Sequence, residues 1–365
     1  MDQNPLSIAV NWSGRNEFVE CTATVIKPFL PFTKSQVFLV DVHGAPNGTP
    51  SPMILKIFDP RFIEDRLTRS SDSNHPWSLE NELAAAERRA AVIRGDREDD
   101  YDEMNFLDFD EVLWEEYSYR AMQLAFQSEL AAYTRLRHLQ GDGIPRCYGF
   151  GTLHPDIQRP IVLNVLLLEY IPGETLATVD PTTISRVLAR ALITTVHAIG
   201  VHGVIHNDLR DDNIIFFPAK PEKPTKACII DFGHAGLRED ESDTDWEECL
   251  YMTGDEARVR LHLALLGVRD VDPQRAKIFP NPHGANFWNH WAEGNGRRWC
   301  EPAGEQWDGP EGVRLIEPIR WKLRDEVTAW LDARDAGLLA GPAPPRPGSP
   351  DFVPLSRDVV EETQN

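Results

Sequence analysis

The 365-residue chain has only five cysteines, Cys21, Cys147, Cys228, Cys249 and Cys300, and no two form a CxxC pair. With no paired spacing and no Cys/His cluster, neither a disulfide framework nor a zinc finger is expected, and reduced thiols in a cytoplasmic or nuclear protein are. No HExxH and no histidine cluster appears, which argues against a metal hydrolase. No GxGxxG follows any strand-like segment, which argues against a dinucleotide-dependent oxidoreductase. Long apolar runs are missing too. The most apolar stretch, Ile161 to Ile171, is too short to span a bilayer and holds Asn164 and Glu169. The first residues, MDQNPLSIAVNWSG, lack a basic region followed by an apolar one, so no signal peptide is expected. Positive charge is also scarce: 37 basic residues face 58 acidic ones, for a net charge of −21. Such a surface repels phosphate, so neither nucleic acid nor an anionic membrane is expected as a partner.

What is present is enough for a folded protein. Hydrophobic residues make up 41% of the chain, and the length fits two domains or one two-lobed unit. Between Cys21 and Asp59 three strands are expected, in ECTATVIKPF, SQVFLVDV and PMILKIFD, separated by turn-like LPFTK and HGAPNGTPS. A helix is expected over Leu79–Ile93 and another over Tyr119–Leu139, where Phe126, Leu130, Tyr133, Leu136 and Leu139 recur by threes and fours. Gly141 and Gly143 end the second. Strands over 146–151 and 161–170, a helix over 182–202, and short strands over 213–217 and 227–230 follow. Beyond Gly233 the chain reads as helical and acidic, then Trp-rich and irregular, and GPAPPRPGSP opens a Pro-rich tail expected to be disordered.

The chemistry is concentrated in IHNDLRDDN (205–213) and IIDFG (229–233). An aspartate, an asparagine five positions on, and a second aspartate after an apolar strand suit phosphoryl transfer. That reaction needs a carboxylate to orient the attacking hydroxyl and oxygen ligands for the Mg²⁺ that bridges nucleotide phosphates. The set resembles the catalytic loop and DFG motif of the protein-kinase-like superfamily. Met53-Ile54-Leu55-Lys56 resembles the strand carrying the phosphate-binding lysine, and Glu129 stands on the next helix where its partner glutamate belongs. Leu168-Glu169-Tyr170-Ile171 resembles the hinge whose backbone binds adenine, and Ala198 to His206 resembles the approach to the catalytic loop. The likeness runs from about Cys21 to Gly236. In style it is closest to fungal kinase-like proteins and to the aminoglycoside/choline-kinase-like branch.

The resemblance implies an α+β, bilobal fold with a small β-rich N-lobe and a larger, mainly α-helical C-lobe. Residues 1–20 would be an N-terminal extension, 21–170 the N-lobe with an acidic insertion at about 60–118, 171–340 the C-lobe, and 341–365 the tail. It also implies ATP and Mg²⁺ as cofactors. In that scheme Lys56, Glu129, Glu169 and Ile171 bind nucleotide, Asn213 and Asp231 hold the metal, and Asp208 and Arg210 are catalytic.

There are departures. KPFLPFTKS (27–35) replaces a glycine-rich loop, leaving Lys34 or Thr33 as a candidate phosphate contact and a plain hairpin loop as the other reading. Asn207 replaces the arginine before the catalytic aspartate, which argues against activation-loop switching. No Ala-Pro-Glu follows Gly233. Lys56 and Glu129 stand 73 positions apart, so a long insertion must loop out between them. Within Asp96–Glu116 eleven acids face one base, Arg97, and Glu239–Glu248 holds seven more acids. The expected function is ATP-dependent transfer of the γ-phosphate to a protein Ser/Thr or a small-molecule hydroxyl, with a cationic peptide or amine as acceptor. The alternative is a pseudokinase that binds nucleotide or partner proteins as a scaffold, its acidic insertion docking a protein.

Overall fold

The computed structural model describes residues 5–32, 34–63, 66, 75–102, 110–154, 158–219, 223–265, 289, 293, 300–307 and 319–325. The tail at 341–365 and the apolar residues Phe106, Leu107 and Phe109 of the acidic insertion lie outside them. The chain divides into two compact units, Met1–Ile171 with Asp231–Ala235, and Pro172–Ile230 with Gly236–Asn365.

The first unit is built on six strands: β1 (Leu6–Trp12), β2 (Phe18–Pro28), β3 (Gln36–His43), β4 (Met53–Phe58), β5 (Cys147–His154) and β6 (Leu163–Glu169). They close into an antiparallel barrel in the order β1-β2-β3-β4-β6-β5. The three strands expected between Cys21 and Asp59 are β2, β3 and β4. The first twenty residues, however, are not simply an extension. Ile8, Val10 and Trp12 alternate inward on β1 and are buried, so this strand supplies one wall of the barrel core. Each fully buried aliphatic side chain there is worth about 1.5–3 kcal/mol. Closure depends on two glycines of β5. A Cβ at Gly151 would lie 1.9 Å from the Ala9 carbonyl oxygen, and one at Gly149 would lie 2.7 Å from that of Asn11. Only hydrogen fits where β1 lies against β5.

Two α-helices among the described residues complete the unit. α1 (Leu79–Arg94) starts on the Ser78 hydroxyl, which accepts the Asn81 N–H, and ends on Gly95 in the left-handed conformation. α2 (Glu111–Arg135) starts on Asp110, which accepts the Leu113 N–H. It begins eight residues earlier than the periodicity from Tyr119 implies, so the end of the acidic run is the first two turns of a helix. Its buried positions include Ser118, Met122, Ala125, Glu129, Ala132 and Tyr133, a stripe with Glu129 in its middle.

The second unit contains β7 (Glu174–Thr175), α3 (Arg186–Val201), β8 (Val204–Ile205), β9 (Ile214–Phe217), β10 (Lys226–Ile229), β11 (Gly236–Leu237), α4 (Asp243–Thr253), α5 (Asp255–Leu265), β12 (Cys300–Trp307) and β13 (Ile319–Leu323). Strands β10-β9-β7 form one small sheet and β11-β8 a second. α3 buries Leu188, Leu192, Val196 and Ile199 at helical spacing. The indole N–H of Trp246 on α4 donates to the Gly200 carbonyl of α3 at 2.9 Å. The antiparallel β12–β13 pair falls where the sequence reads as irregular. Its register shifts between Pro302 and Trp307, so alternation is lost in CEPAGEQW. No helix among the described residues is long and apolar enough to cross a membrane.

Candidate functional site

On β4, Leu55 and Ile57 point into the barrel core, so period-two geometry turns Lys56 to the other face. There its ammonium meets Glu129 Oε2 of α2 at 2.5 Å and Asp231 Oδ1 at 2.6 Å. Lys56 is 5% exposed and Glu129 fully buried. The buried stripe of α2 is rotated from the one its large apolar residues suggest, because Glu129 must face a cation rather than solvent. Burial alone would push the Lys56 amine down, but the Asp231 and Glu129 carboxylates beside it outweigh this and hold it above its ordinary value. Burial raises the Glu129 carboxyl to about 7, against the downward pull of Lys56 and with a further push from Asp231. One ammonium thus faces two carboxyl groups, Glu129 and Asp231.

Asp231 takes φ 67°, a conformation Asp tolerates better than most side chains. Its carboxylate also lies 3.4 Å from the Gly233 N–H, and its side chain is 39% exposed. Phe232, fully buried, packs edge-on against Tyr133 of α2 with ring centroids 5.5 Å apart. Lys34, in the β2–β3 loop, lies 2.5 Å from His234 Nε2, a contact the sequence did not suggest. Glu169 ends β6. Its N–H donates to the Arg146 carbonyl at 2.8 Å and its carboxylate accepts the Arg146 N–H at 3.0 Å. Of the backbone groups expected to meet adenine, that N–H is therefore already engaged. Ile171 is half-buried.

In the second unit the loop after β8 is organised from both ends. His206 is buried, and the tautomer that satisfies its neighbours donates Nε2–H to the Ile230 carbonyl at 2.9 Å and accepts the Asp208 N–H on Nδ1 at 3.3 Å. Asn207 holds φ 61°. Asp255, at the start of α5, accepts the His206 N–H at 2.8 Å and the Asn207 N–H at 3.4 Å. Nothing in the local pattern pointed to Asp255, since its targets are backbone groups some fifty residues away. Asn213 donates its amide to the Asp208 carbonyl at 2.7 Å and to the Asp208 carboxylate at 3.3 Å. Arg210 Nε lies 3.1 Å from Asp208 Oδ1, so the expected charge stabiliser is paired with the expected base. His262 of α5 contacts the Asp211 carboxylate beneath the loop.

The donors fit the nucleotide and metal that the motif set implies. In the first unit Asp231 offers a hard oxygen ligand, and in the second Asn213 offers another; Mg²⁺ commonly takes only one or two protein ligands beside phosphate and water. The partly exposed Asp231 carboxylate suits a divalent cation, and a fixed ammonium suits a phosphate.

No family model matches the chain, and no curated protein matches it. Among solved structures, WaaP in complex with acyl carrier protein is similar over 65% of this chain and 76% of that one, at 13% identity and a TM-score of 0.33. The Rio2 kinase from Chaetomium thermophilum is similar over 66% of this chain and 56% of its own, at 14% identity and a TM-score of 0.34.

Proposed function

We propose that the chain is a kinase-like phosphotransferase that transfers the γ-phosphate of ATP to a hydroxyl group, its first unit being the small lobe and its second the larger lobe of that fold. The observation that carries this reading is the buried Lys56 ammonium held by Glu129 and Asp231 at 2.5 and 2.6 Å. Burying an amine with the Glu129 carboxylate, beside a partly exposed Asp231, is costly, and a phosphate-binding lysine gives them a use. Mg²⁺, bound by Asp231 and Asn213, would neutralise the nucleotide phosphates. Lys56, fixed by Glu129, grips the α- and β-phosphates. Asp208, ordered by Asn213, orients the acceptor hydroxyl and takes its proton. Arg210, released from Asp208, stabilises charge as it develops on the transferring group. The exposed acids of Glu239–Glu248 favour a cationic peptide or an amine-bearing small molecule as acceptor.

The test is Mg²⁺-dependent stabilisation of the protein by ATP. Asp231→Ala is expected to abolish it. Asp208→Ala is expected to keep it while lowering turnover by about 10²–10⁴-fold. Equal loss of ATP affinity in both variants overturns these roles, and no ATP-induced rise in melting temperature overturns the reading itself.

A second reading, a nucleotide-binding scaffold without turnover, is favoured by the Arg210–Asp208 pair and by a hairpin loop built of Phe29, Pro31 and Phe32 in place of glycines. It gains if ATP binds while a broad acceptor panel gives no product that Asp208→Asn abolishes.

A further inference from the structure

α1 has little buried apolar surface: its buried residues are Glu82, Ala85 and Arg88, with Leu79 and Val92 half-buried. It is held instead by ion pairs at both ends. Toward its C-terminus, Arg89 Nη1 lies 2.6 Å from Glu116 Oε2 on α2; Glu116 is fully buried, and its other oxygen lies 2.6 Å from Arg120 Nε of α2 itself, so Arg89 is the one of its two partners that ties α2 to α1. Toward its N-terminus, Glu82 accepts from Arg159 Nε at 2.9 Å and from the Trp77 indole at 2.8 Å. The same Arg159, completely buried, reaches Asp59 at 3.0 Å. Asp59 follows the end of β4, three residues after Lys56. A parallel pair joins the segment after β4 to α2, with Arg66 Nη2 at 2.5 Å from Glu115 Oε2 and both nearly inaccessible.

These contacts close a ring. From Lys56 the path runs through Glu129 along α2 to Glu116, across Arg89 to α1, from Glu82 through Arg159 to Asp59, and back along β4. Buried ion pairs contribute little net stability against desolvation but fix geometry, since losing one partner strands a charge. An apolar contact would let α2 slide or rotate; a directional pair does not.

We infer that α1 is an internal brace for α2, with Arg89, Arg159 and Arg66 as positioning residues that hold Glu129 against Lys56. The inference rests on the proposed reading only in giving that grip a nucleotide to serve. Within the long segment between Lys56 and Glu129, Asp59, Arg66, Glu82, Arg89, Glu115 and Glu116 supply this restraint from inside the chain.

The experiment compares Arg89→Gln, Arg89→Lys and, as a control in the exposed last turn of α1, Arg94→Gln. Two readouts are followed: acylation of the Lys56 amine by a water-soluble amine reagent, mapped by peptide mass, and the Kd for Mg²⁺-ATP. Amide exchange in β1 and β2 serves as the internal reference for global opening. Arg89→Gln is expected to speed Lys56 acylation and to weaken ATP binding about tenfold, a loosening typical of a shifted two-state equilibrium. Barrel exchange should stay unchanged, and Arg89→Lys should restore both readouts. Glu116→Gln, which keeps the side-chain shape, carries the same test if Arg89→Gln does not fold. Wild-type protection of Lys56 in these variants overturns the brace, as does an equal effect from Arg94→Gln. If the wild-type protein binds no ATP, the nucleotide reading falls, while Lys56 acylation still decides the brace.

Discussion

Two stretches of this chain look alike in composition and behave differently in the fold. Asp96–Glu116 has eleven acids, and Glu239–Glu248 has seven. In the first, six of the described acids are engaged within the chain: Asp96 by Arg94, Asp99 by Arg120, Asp100 by Arg88 and Arg97, and Glu115 and Glu116 by Arg66 and Arg89, while Asp110 caps α2. In the second, Asp243 pairs with Arg238, yet every acid except the half-buried Glu241 lies exposed around a single buried residue, Trp246. One stretch is an arginine-paired structural element and the other a charged surface. A net charge of −21 is therefore a poor guide to where a cation could bind, because the larger acidic run has its countercharges built in.

The largest effect that sharpens this contrast is on stability. Glu115→Ala leaves Arg66 buried without its carboxylate and is expected to cost about 3–5 kcal/mol in urea unfolding. Glu247→Ala or Glu248→Ala, at exposed positions, should stay within about 0.5 kcal/mol. Similar losses in both stretches would mean that they do not differ. A smaller effect concerns the acceptor. Neutralising Asp240, Glu247 and Glu248 together should raise KM for a cationic acceptor several-fold, less so at high salt, because exposed charges act at long range. Neutralising the exposed Asp96 and Glu98 should leave KM unchanged. The reverse pattern would move the cationic surface to the insertion.

How much of this was legible follows the range of the interactions. The β2, β3 and β4 strands and the ends of α1 were readable because alternation and caps are local. The β1 strand carried the same alternation in Ile8, Val10 and Trp12. What could not be read was that β5, with Gly149 and Gly151, would leave room for it. At the candidate site, Lys56, Glu129, Asp208, Asn213 and Asp231 stood out by residue type and order. The Arg210–Asp208 pair and the support from Asp255 did not, since neither changes a local pattern. The brace was the least legible part: Arg159 meets Glu82 across 77 positions and Asp59 across 100, and no periodicity records such pairs. The acids of the insertion were visible, but their arginines were scattered through helices and loops where each reads as ordinary surface charge.

The smallest effect is the most specific to the difference between the stretches. Asp100 is held down to about 2 by the Arg97 and Arg88 guanidinium groups, whereas Glu241, in the second stretch, is lowered by its own N–H and that of Glu239. A folded value below the ordinary carboxylate value of about 3.9 means that the Asp100 contribution is present above about pH 4 and lost as pH falls toward 2. Carboxyl NMR titration should therefore place the Asp100 midpoint near 2 in the wild type and return it toward the ordinary value in Arg88→Gln and Arg97→Gln. Glu241 depends on backbone donors and should not respond to either change. An Asp100 midpoint that ignores both substitutions would remove the arginine pairing that separates the two stretches.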